Sequence, residues 1–310
     1  MAFYSVVIPV KDEAQSLKIL YKELKSILSS LDRPYEIIFI DDGSIDKSVE
    51  AMTKLQNTDK QIKIIKLRGN FGKSAALSKG FEETKGKIII MLDADLQDNP
   101  REIPKLLAKL DEGYDLISGW RRKRLDSPTK RISSYLFNRG TALISGVTLH
   151  DFNCGLKVLR SEVAKEVYLH GELHRFIPVL AAKKQFKVGE VKIAHRTRRF
   201  GESKYGKFGI GRGWKAAVDL LTSIFLSDYA TKPAHFFGKI GLPLLLIGFI
   251  LDLYVTYVKV TTGTTQGKIP LLLAGILLII MGIQLLSTGL IAEMITHYFM
   301  RDKRFHQENT

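Results

Sequence analysis

Ile88-Ile89-Ile90-Met91-Leu92-Asp93-Ala94-Asp95-Leu96-Gln97 is the stretch from which the fold of this chain is read. Its five consecutive apolar residues, without alternation, mark a strand buried on both faces, as in a parallel sheet with helices on either side. Two carboxylates follow, one residue apart, where the strand ends. Open α/β sheets bind their ligands at the carboxyl ends of strands. Asp93 and Asp95 can there offer oxygens to one hard divalent cation, which takes its other ligands from waters and substrate phosphates. Asp is also a common turn residue, so the surroundings of the triplet decide between the two readings.

Toward the N-terminus the pattern repeats. Tyr4 to Val10 reads as a first strand with Pro9 marking its end, and no signal peptide is expected ahead of it. Glu13 to Ser30 has the helical period Leu17, Leu20, Leu24, Ile27, Leu28. Tyr35 to Ile40 is a second buried strand, ending in Asp41-Asp42-Gly43-Ser44, and Asp46 can cap a helix over Lys47 to Gln56. Ile62 to Leu67 is a third strand, followed by Arg68-Gly69-Asn70-Phe71-Gly72-Lys73 and a helix to about Thr84. Beyond the opening stretch, Arg101 to Leu110 is helical and Tyr114 to Ser118 is a fifth strand. This alternation predicts a parallel α/β sheet. No Gly-x-Gly-x-x-Gly follows the first strand, and Gly72-Lys73-Ser74 lacks the upstream glycine of a phosphate loop, so neither nucleotide fingerprint is present. Acidic pairs instead end two strands. Carboxylates can accept from a nucleobase N–H or ribose hydroxyl and can hold a metal that holds phosphate. That division suits a nucleotide-sugar site.

Two basic segments flank Asp151: Gly119 to Arg124 with Lys130-Arg131-Ile132-Ser133-Ser134, and His195 to Tyr205. Solvated charge runs are common. Here the interleaved Gly, Ser and aromatic residues favour loops wrapping a phosphate, which Arg can bind bidentately.

The C-terminal third is different. Ile269 to Ala292 has no charged residue, and Ile240 to Val258 carries only Asp252. About 20 apolar residues at 1.5 Å each span a bilayer core, so a transmembrane helical hairpin is predicted. Ile210 to Tyr229 gathers Ile210, Trp214, Ala217, Val218, Leu221, Ile224 and Phe225 on one helical face, as an interfacial helix would. Gly275, Gly282, Ser287 and Gly289 are small residues that can pack against other copies of the chain, so a homo-oligomer is expected. The net charge is +15, and basic residues gather before the first span and after the second. The positive-inside rule then puts both termini in the cytoplasm. With two spans present, anionic lipid and phosphorylated substrates explain the charge better than nucleic acid does. The lone cysteine, Cys154, excludes an internal disulfide and suits a reducing compartment.

Val7-Ile8-Pro9, Glu13, Asp41-Asp42-Gly-Ser, Asn70-Phe-Gly-Lys73, Asp93-Ala94-Asp95-Leu-Gln97, Asp151-Phe-Asn-Cys-Gly and Arg198-Arg-Phe-Gly-Glu-Ser-Lys204-Tyr together resemble the polyprenyl-phosphate glycosyltransferases, the relatives of dolichol-phosphate mannose synthase. The resemblance extends to the two-span tail of bacterial members. It implies a GT-A fold, a mixed Rossmann-like α/β sheet, followed by interfacial helices and the transmembrane hairpin. It also implies Mg²⁺ or Mn²⁺, a nucleotide-diphosphate sugar donor, a polyprenyl phosphate acceptor and inversion at the anomeric carbon. Residue by residue, it implies that Pro9, Glu13 and Asp42 contact the nucleoside. Asp41, Lys73 and Ala94 complete the donor site, and Asp93, Asp95 and Gln97 hold metal and diphosphate. Arg121, Arg131, Ser134, Arg198 and Lys204 meet phosphates, and Asp151 lies near the reacting centre. Lys11-Asp12 departs from the Tyr-Asn or Phe-Asn usual there, as does Asn99 from Pro or His.

The resulting division is a GT-A catalytic domain over 1–205, juxtamembrane helices over 206–234, a hairpin over 235–299 with spans at about 238–258 and 270–293, and a basic tail over 300–310. UDP-glucose is the favoured donor and GDP-mannose the next. An inactive membrane-anchored GT-A scaffold is opposed by the presence of Asp93, Asp95 and Gln97. A processive polysaccharide synthase is opposed by the absence of Gln-x-x-Arg-Trp.

Overall fold

The apolar run forms a strand, Ile88–Met91, buried at all four positions. In the computed structural model it sits at the middle of a seven-stranded sheet. The structure describes residues 2–121, 128–169, 171–197, 200, 222, 232–265 and 267–307. Among these the strands are β1 (Tyr4–Val10), β2 (Tyr35–Asp41), β3 (Ile62–Lys66), β4 (Ile88–Met91), β5 (Leu116–Trp120), β6 (Lys157–Arg160) and β7 (Val188–Lys192). The helices are α1 (Ala14–Ser30), α2 (Ser48–Thr58), α3 (Lys73–Glu82), α4 (Ile103–Asp111), α5 (Pro128–Ser145), α6 (Ser161–Glu166), α7 (Ile177–Lys183), α8 (Pro233–Thr262) and α9 (Ile269–Gln307).

Strand order is β3-β2-β1-β4-β6-β5-β7. β1 to β4 are mutually parallel where they pair, but β6 runs antiparallel to both β4 and β5, while β5 and β7 are parallel. The sheet is therefore mixed, as the family resemblance implies, and the wholly parallel reading of the spacing is corrected. Neither β6 nor β7 is legible in the pattern. β6 is four residues long and opens with a lysine, and β7 is a half-buried edge strand with a glycine and two charges.

Period-2 alternation divides the core. Val6, Ile8, Ile37, Phe39 and Ile90 join Leu17, Leu20 and Leu24 of α1 and Leu106 and Leu110 of α4 in one buried cluster. On the opposite face α3 lies close to the sheet. A Cβ on Gly80 would come within 2.6 Å of Val7 Cγ1 and 2.9 Å of Ile40 Cδ1, so only glycine permits this approach. Carboxyl ends of β1, β2 and β4 open on one edge, because the three strands run parallel in register.

The chain divides into two compact units, Met1–Leu221 and Thr222–Thr310. The second consists, among described residues, mainly of α8 and α9, which contain 30-residue apolar stretches long enough to cross a membrane. They extend beyond the spans read from the sequence, and α9 continues to Gln307, so most of the expected tail is helical. Their contact is a ladder of glycines at seven-residue spacing. A Cβ on Gly241 would meet Gly282 O at 3.0 Å, one on Gly248 would meet Gly275 O at 2.6 Å, and one on Gly289 would meet Phe237 Cβ at 2.9 Å. These glycines let the two backbones touch. Gly275, Gly282 and Gly289 are therefore engaged inside the hairpin. Glu293 Oε2 accepts from Ala234 N at 3.0 Å, which caps the start of α8 from α9. The region 210–229, read as an interfacial helix, lies outside the described residues but for residue 222.

Candidate active site

The site is built from loops at the carboxyl ends of the parallel strands. On the β1–β2 side, two loops are stitched together by short hydrogen bonds. Asp12 N donates to Ser44 Oγ (3.0 Å), Ile45 N to Asp12 Oδ1 (2.7 Å), Glu13 N to Ser48 Oγ (2.7 Å) and Ala14 N to Asp46 Oδ2 (3.1 Å). Asp46 also accepts from Ser48 N at 2.9 Å, so it serves the starts of both α1 and α2. Lys11 Nζ donates to Gly43 O. The Lys11-Asp12 departure is therefore a loop-to-loop fastening. Pro9 and Glu13 are half-buried at this rim, and Asp41 accepts from Ser44 N at 3.1 Å.

Asp42 is 5 % exposed, and both its oxygens are used by the next loop. Oδ1 accepts from Phe71 N at 2.7 Å and Oδ2 from Gly72 N at 3.0 Å. Burial raises its carboxyl above the usual range, and these two N–H groups oppose the rise. Asp42 therefore fixes Asn70-Phe71-Gly72, and with it the start of α3. Ser74 fixes the next residue over. Its Oγ accepts from His174 N at 3.0 Å and lies within hydrogen-bonding distance of His174 Nδ1, at 3.0 Å. Burial, with Lys73 beside it, holds the His174 pKa well below the imidazole norm.

Between these two anchors stands Lys73. Its Nζ lies 2.5 Å from Asp93 Oδ1, at the tip of β4. Burial works to raise the Asp93 carboxyl, and Lys73, Lys157 and Arg121 together outweigh it, leaving the pKa below the usual range. Asp95 Oδ1 accepts from Gln97 N at 3.1 Å, which closes the turn Asp93 to Gln97 around a buried Ala94 and a left-handed Leu96 (φ 64°). Arg196 N then donates to Gln97 O at 2.9 Å, and Asp98 bridges to His195, so the segment after β7 is laid along this turn. Arg196 also pairs with Glu23 (2.7 Å) and Asn99 Oδ1 (2.6 Å). That gives the Asn99 departure a role, since the same oxygen caps Arg101 N at 3.2 Å.

Asp93, Asp95 and Gln97 suit a divalent ion. Asp93 Oδ1 is buried, and the Lys73 ammonium lies 2.5 Å from it. No three His, Cys, Asp or Glu side chains gather into a cage among them. Two carboxylates and an amide, with diphosphate supplying the rest, is the set a Mg²⁺-like ion uses at phosphates.

On the far side, Arg121 grips Asp151 with both prongs: Nε to Oδ2 at 2.7 Å and Nη2 to Oδ1 at 3.0 Å. Nη2 also reaches Asn153 O at 2.9 Å. Burial alone would lower the guanidinium pKa, and the negative groups around it, Asp151 foremost, raise it above its usual value. Ser134 lies on α5 and is half-buried there, near Asn138 Nδ2 at 3.5 Å; Asn138 Oδ1 in turn accepts from Phe152 N at 3.4 Å. The segment Lys130 to Ser134, read as a loop, is thus helical, because Pro128 starts a helix there. The side chain of Arg131, and all of Arg198 and Lys204, lie outside the described residues.

Two buried charged groups that the sequence reading missed, Asp98 and Lys157, complete the arrangement. Gly155 abuts two carboxylates: a Cβ there would come within 2.3 Å of Asp98 Oδ2 and 2.6 Å of Asp93 Oδ2. Burial, reinforced by Asp93, pushes the Asp98 carboxyl up to about 7. Lys157 is 1 % exposed and donates to Cys154 O; burial brings its ammonium down to about 8. Burial also raises the Cys154 thiol, so it is an inert packing group. A lysine opening an apolar strand at Leu156-Lys157-Val158-Leu159 was the one available signal.

Residues 5–168, more than half of the chain, match the Glycosyl transferase family 2. The chain belongs to this family. Within it, the chain is 36 % identical over 303 residues to a dodecaprenyl-phosphate galacturonate synthase of Rhizobium johnstonii, covering 96 % of this chain and 89 % of that one. It is 34 % identical over 295 residues to an undecaprenyl-phosphate 4-deoxy-4-formamido-L-arabinose transferase of Pseudomonas paraeruginosa, covering 94 % and 84 %. This family 2 member is thus one of the polyprenyl-phosphate glycosyltransferases. Among solved structures, glucosyl-3-phosphoglycerate synthase of Mycobacterium tuberculosis, crystallised with Mn²⁺, UDP-glucose and phosphoglyceric acid, superposes with a TM-score of 0.54 at 16 % identity, covering 74 % of this chain and 82 % of that one. That likeness establishes the GT-A fold. Asp42, Lys73, Asp93, Arg121, Asp151 and Lys157 all lie inside the family 2 match, whereas His174 and Arg196 lie beyond it.

Proposed function

We propose that this family 2 glycosyltransferase moves a hexose from a UDP-sugar to a polyprenyl phosphate at the cytoplasmic face of a membrane, with a divalent ion and with inversion. The observation that carries the reading is the meeting, at one end of one sheet, of the Asp93–Gln97 turn, Lys73 and the Arg121–Asp151 fork. UDP-glucose heads the donor panel. The relatives named for galacturonate and formamido-arabinose extend it to uronic acids and amino sugars. A divalent ion held by Asp93, Asp95 and Gln97 would neutralise the diphosphate leaving group.

The rest of the chemistry falls to the chain itself. A phosphate monoester has a second pKa of about 6, so the acceptor is an anion at neutral pH and needs no strong base. The protein must instead hold two anions together, which fixed cations do electrostatically. Asp151 supports that division. Both of its oxygens accept from Arg121, and its side chain is 3 % exposed, so its work is to aim the guanidinium. Arg131, Ser134, Arg198 and Lys204 are proposed as further phosphate contacts, and Pro9, Glu13, Asp41 and Asp42 as the nucleoside side. The two apolar helices keep the enzyme with an acceptor whose tail never leaves the lipid. Both termini are proposed as cytoplasmic.

The test is direct. The purified full chain is incubated with undecaprenyl phosphate and radiolabelled UDP-glucose, UDP-galacturonate or GDP-mannose, with Mg²⁺ or EDTA, and the lipid is extracted. Label should enter lipid only with metal, and Asp95→Ala should lower the rate by roughly 100- to 1000-fold, the scale of losing one electrostatic stabiliser. Unchanged transfer in EDTA, or by Asp95→Ala, rejects the metal reading.

A further inference from the structure

Two consecutive residues at the end of β5 meet two consecutive residues of the loop ahead of β6. Arg121 and Asp151 form the inner pair, the fork already described. Trp120 and His150 form the outer pair, their rings stacked with centres 4.0 Å apart and planes 14° from parallel. The His150 side chain is 63 % exposed, and an imidazole so placed would ordinarily turn among several rotamers. Here Glu190, only 14 % exposed, gives it both carboxylate oxygens. Oε2 accepts from His150 N at 2.8 Å, and Oε1 meets the ring at Nδ1. Pairing of β5 with β7 sets Ser118 beside Glu190 and Trp120 beside Lys192. Glu190 and Lys192, two positions apart, therefore lie on the face of the sheet that carries Trp120. Lys192 Nζ stands 5.1 Å from the centre of the Trp120 ring.

The inner pair needs such support. β5 stops at Trp120 and Asp151 belongs to a loop, so neither member of the fork is held by strand pairing. Ser118 Oγ donates to Asp151 O, but at 3.4 Å. A two-pronged ion pair fixes two side chains to each other and leaves open where the pair points. The outer pair supplies that reference. Glu190 fastens the backbone N–H one residue before Asp151, and the stack joins that same residue to the one before Arg121. Resting on the reading of the fork given above, we infer that the Trp120–His150 stack and Glu190 form a positioning clamp for sugar transfer, which aims the Arg121 guanidinium at the phosphate it serves. His150 and Glu190 act through the fork. Stacking of two rings at an exposed edge adds little to a fold of this size, whereas a small turn of the loop moves the guanidinium.

A double-mutant cycle on the full chain in detergent tests this, with transfer to lipid measured for the donor that the wild type uses and the thermal melt recorded beside it. His150→Ala should lower kcat by about 10- to 100-fold, up to what a misplacement of about 1 Å costs. Donor KM should stay within about threefold and the melt within a few degrees of wild type. His150→Phe keeps a flat ring and the backbone N–H, and should bring kcat back to within about threefold of wild type. In an Arg121→Lys background, His150→Ala should cost about twofold or less, because the fork it aims has already lost its grip. Glu190→Ala reads the same clamp should His150→Ala not fold. An unchanged kcat in His150→Ala, no recovery in His150→Phe, or losses that simply multiply in the double variant each overturn the clamp and leave the fork reading standing. If Arg121→Lys alone transfers at the wild-type rate, the fork reading falls and the clamp falls with it.

Discussion

Each unit of the molecule has a glycine pressed against an aspartate, and the two differ in everything around it. In the α/β unit a Cβ on Gly155 would lie 2.3 Å from Asp98 Oδ2 and 2.6 Å from Asp93 Oδ2; in the hairpin a Cβ on Gly275 would lie 2.0 Å from Asp252 Oδ1. The first pair of carboxylates sits among Lys73, Arg121 and Lys157. Asp252 Oδ1 is buried and has no hydrogen-bond partner among the described residues. The same local device, a missing side chain that makes room for a carboxylate, therefore does different work. In one place it brings two carboxylates together among three cations; in the other it sets a carboxylate into a helix contact.

That contrast is broken most sharply by filling the two gaps. Gly155→Ala drives the Asp93 and Asp98 carboxylates from their places. A misplacement of about 1 Å can cost about 100-fold in rate, so transfer should fall by about that factor while the chain still folds. Gly275→Ala should separate α8 from α9 and lower the melting temperature, with the rate per folded molecule unchanged. Comparing turnover with the melt for both variants checks this. Equal turnover losses would show that the hairpin shapes the site.

Next in size is the fork. Arg121→Lys keeps the charge but gives up the two-pronged grip on Asp151. A lost charge-assisted hydrogen bond is worth roughly 1.5–3 kcal/mol, so kcat should fall by on the order of 10- to 100-fold. Asp151→Asn should lower kcat with the shape of its pH profile kept. Disappearance of an ionisation from that profile would make Asp151 a base.

A smaller effect separates the buried carboxylates by pH. Asp98 holds its proton up to about 7, well above an unfolded carboxyl. Between about pH 4 and 7 the folded chain therefore keeps a proton that the unfolded chain has lost, and Asp98 makes stability fall as pH rises through that window. Asp93 works in the opposite sense and at lower pH, since its pKa is depressed. Asp98→Asn should leave a difference from wild type in melting temperature that grows between pH 4 and 7 and is flat above. A difference constant with pH would mean that Asp98 titrates normally.

These residues also mark where the sequence is legible. β4 and the turn after it can be read because five buried apolar residues leave one reading and because Asp93, Asp95 and Gln97 follow at alternate positions within five residues. The acidic ends of β2 and β4 share one edge because parallel strands must point the same way. β6 is invisible for the opposite reason. Its buried Lys157 is tolerable only through a carbonyl and carboxylates brought in by the fold, so local pattern argues against it. The Lys73–Asp93, Arg121–Asp151 and Ser74–His174 contacts span 20, 30 and 100 positions of sequence separation respectively. No periodicity encodes such pairs. The glycines of the hairpin were visible, but their partner was not, because a seven-residue spacing fits a second helix of the same chain as well as one from another copy.

The smallest expected effect is the most telling about the hairpin. Charged groups inside membrane spans are costly and usually mark function. Asp252 meets a glycine, and its neighbour along the helix, Thr256, donates to the Asp252 carbonyl at 2.8 Å. If its role ends at the helix contact, Asp252→Ala removes a buried, unsatisfied oxygen for the loss of little packing. The melting temperature in detergent should then rise by a few degrees, the shift that roughly 1 kcal/mol gives in a chain of this order, and transfer to lipid should not change. Asp252→Asn, which keeps the shape and leaves the amide buried, should gain less. A loss of transfer in Asp252→Ala with the melt intact would instead put a working carboxylate inside the bilayer. The contrast between a unit that uses buried charge and one that merely tolerates it would then no longer hold.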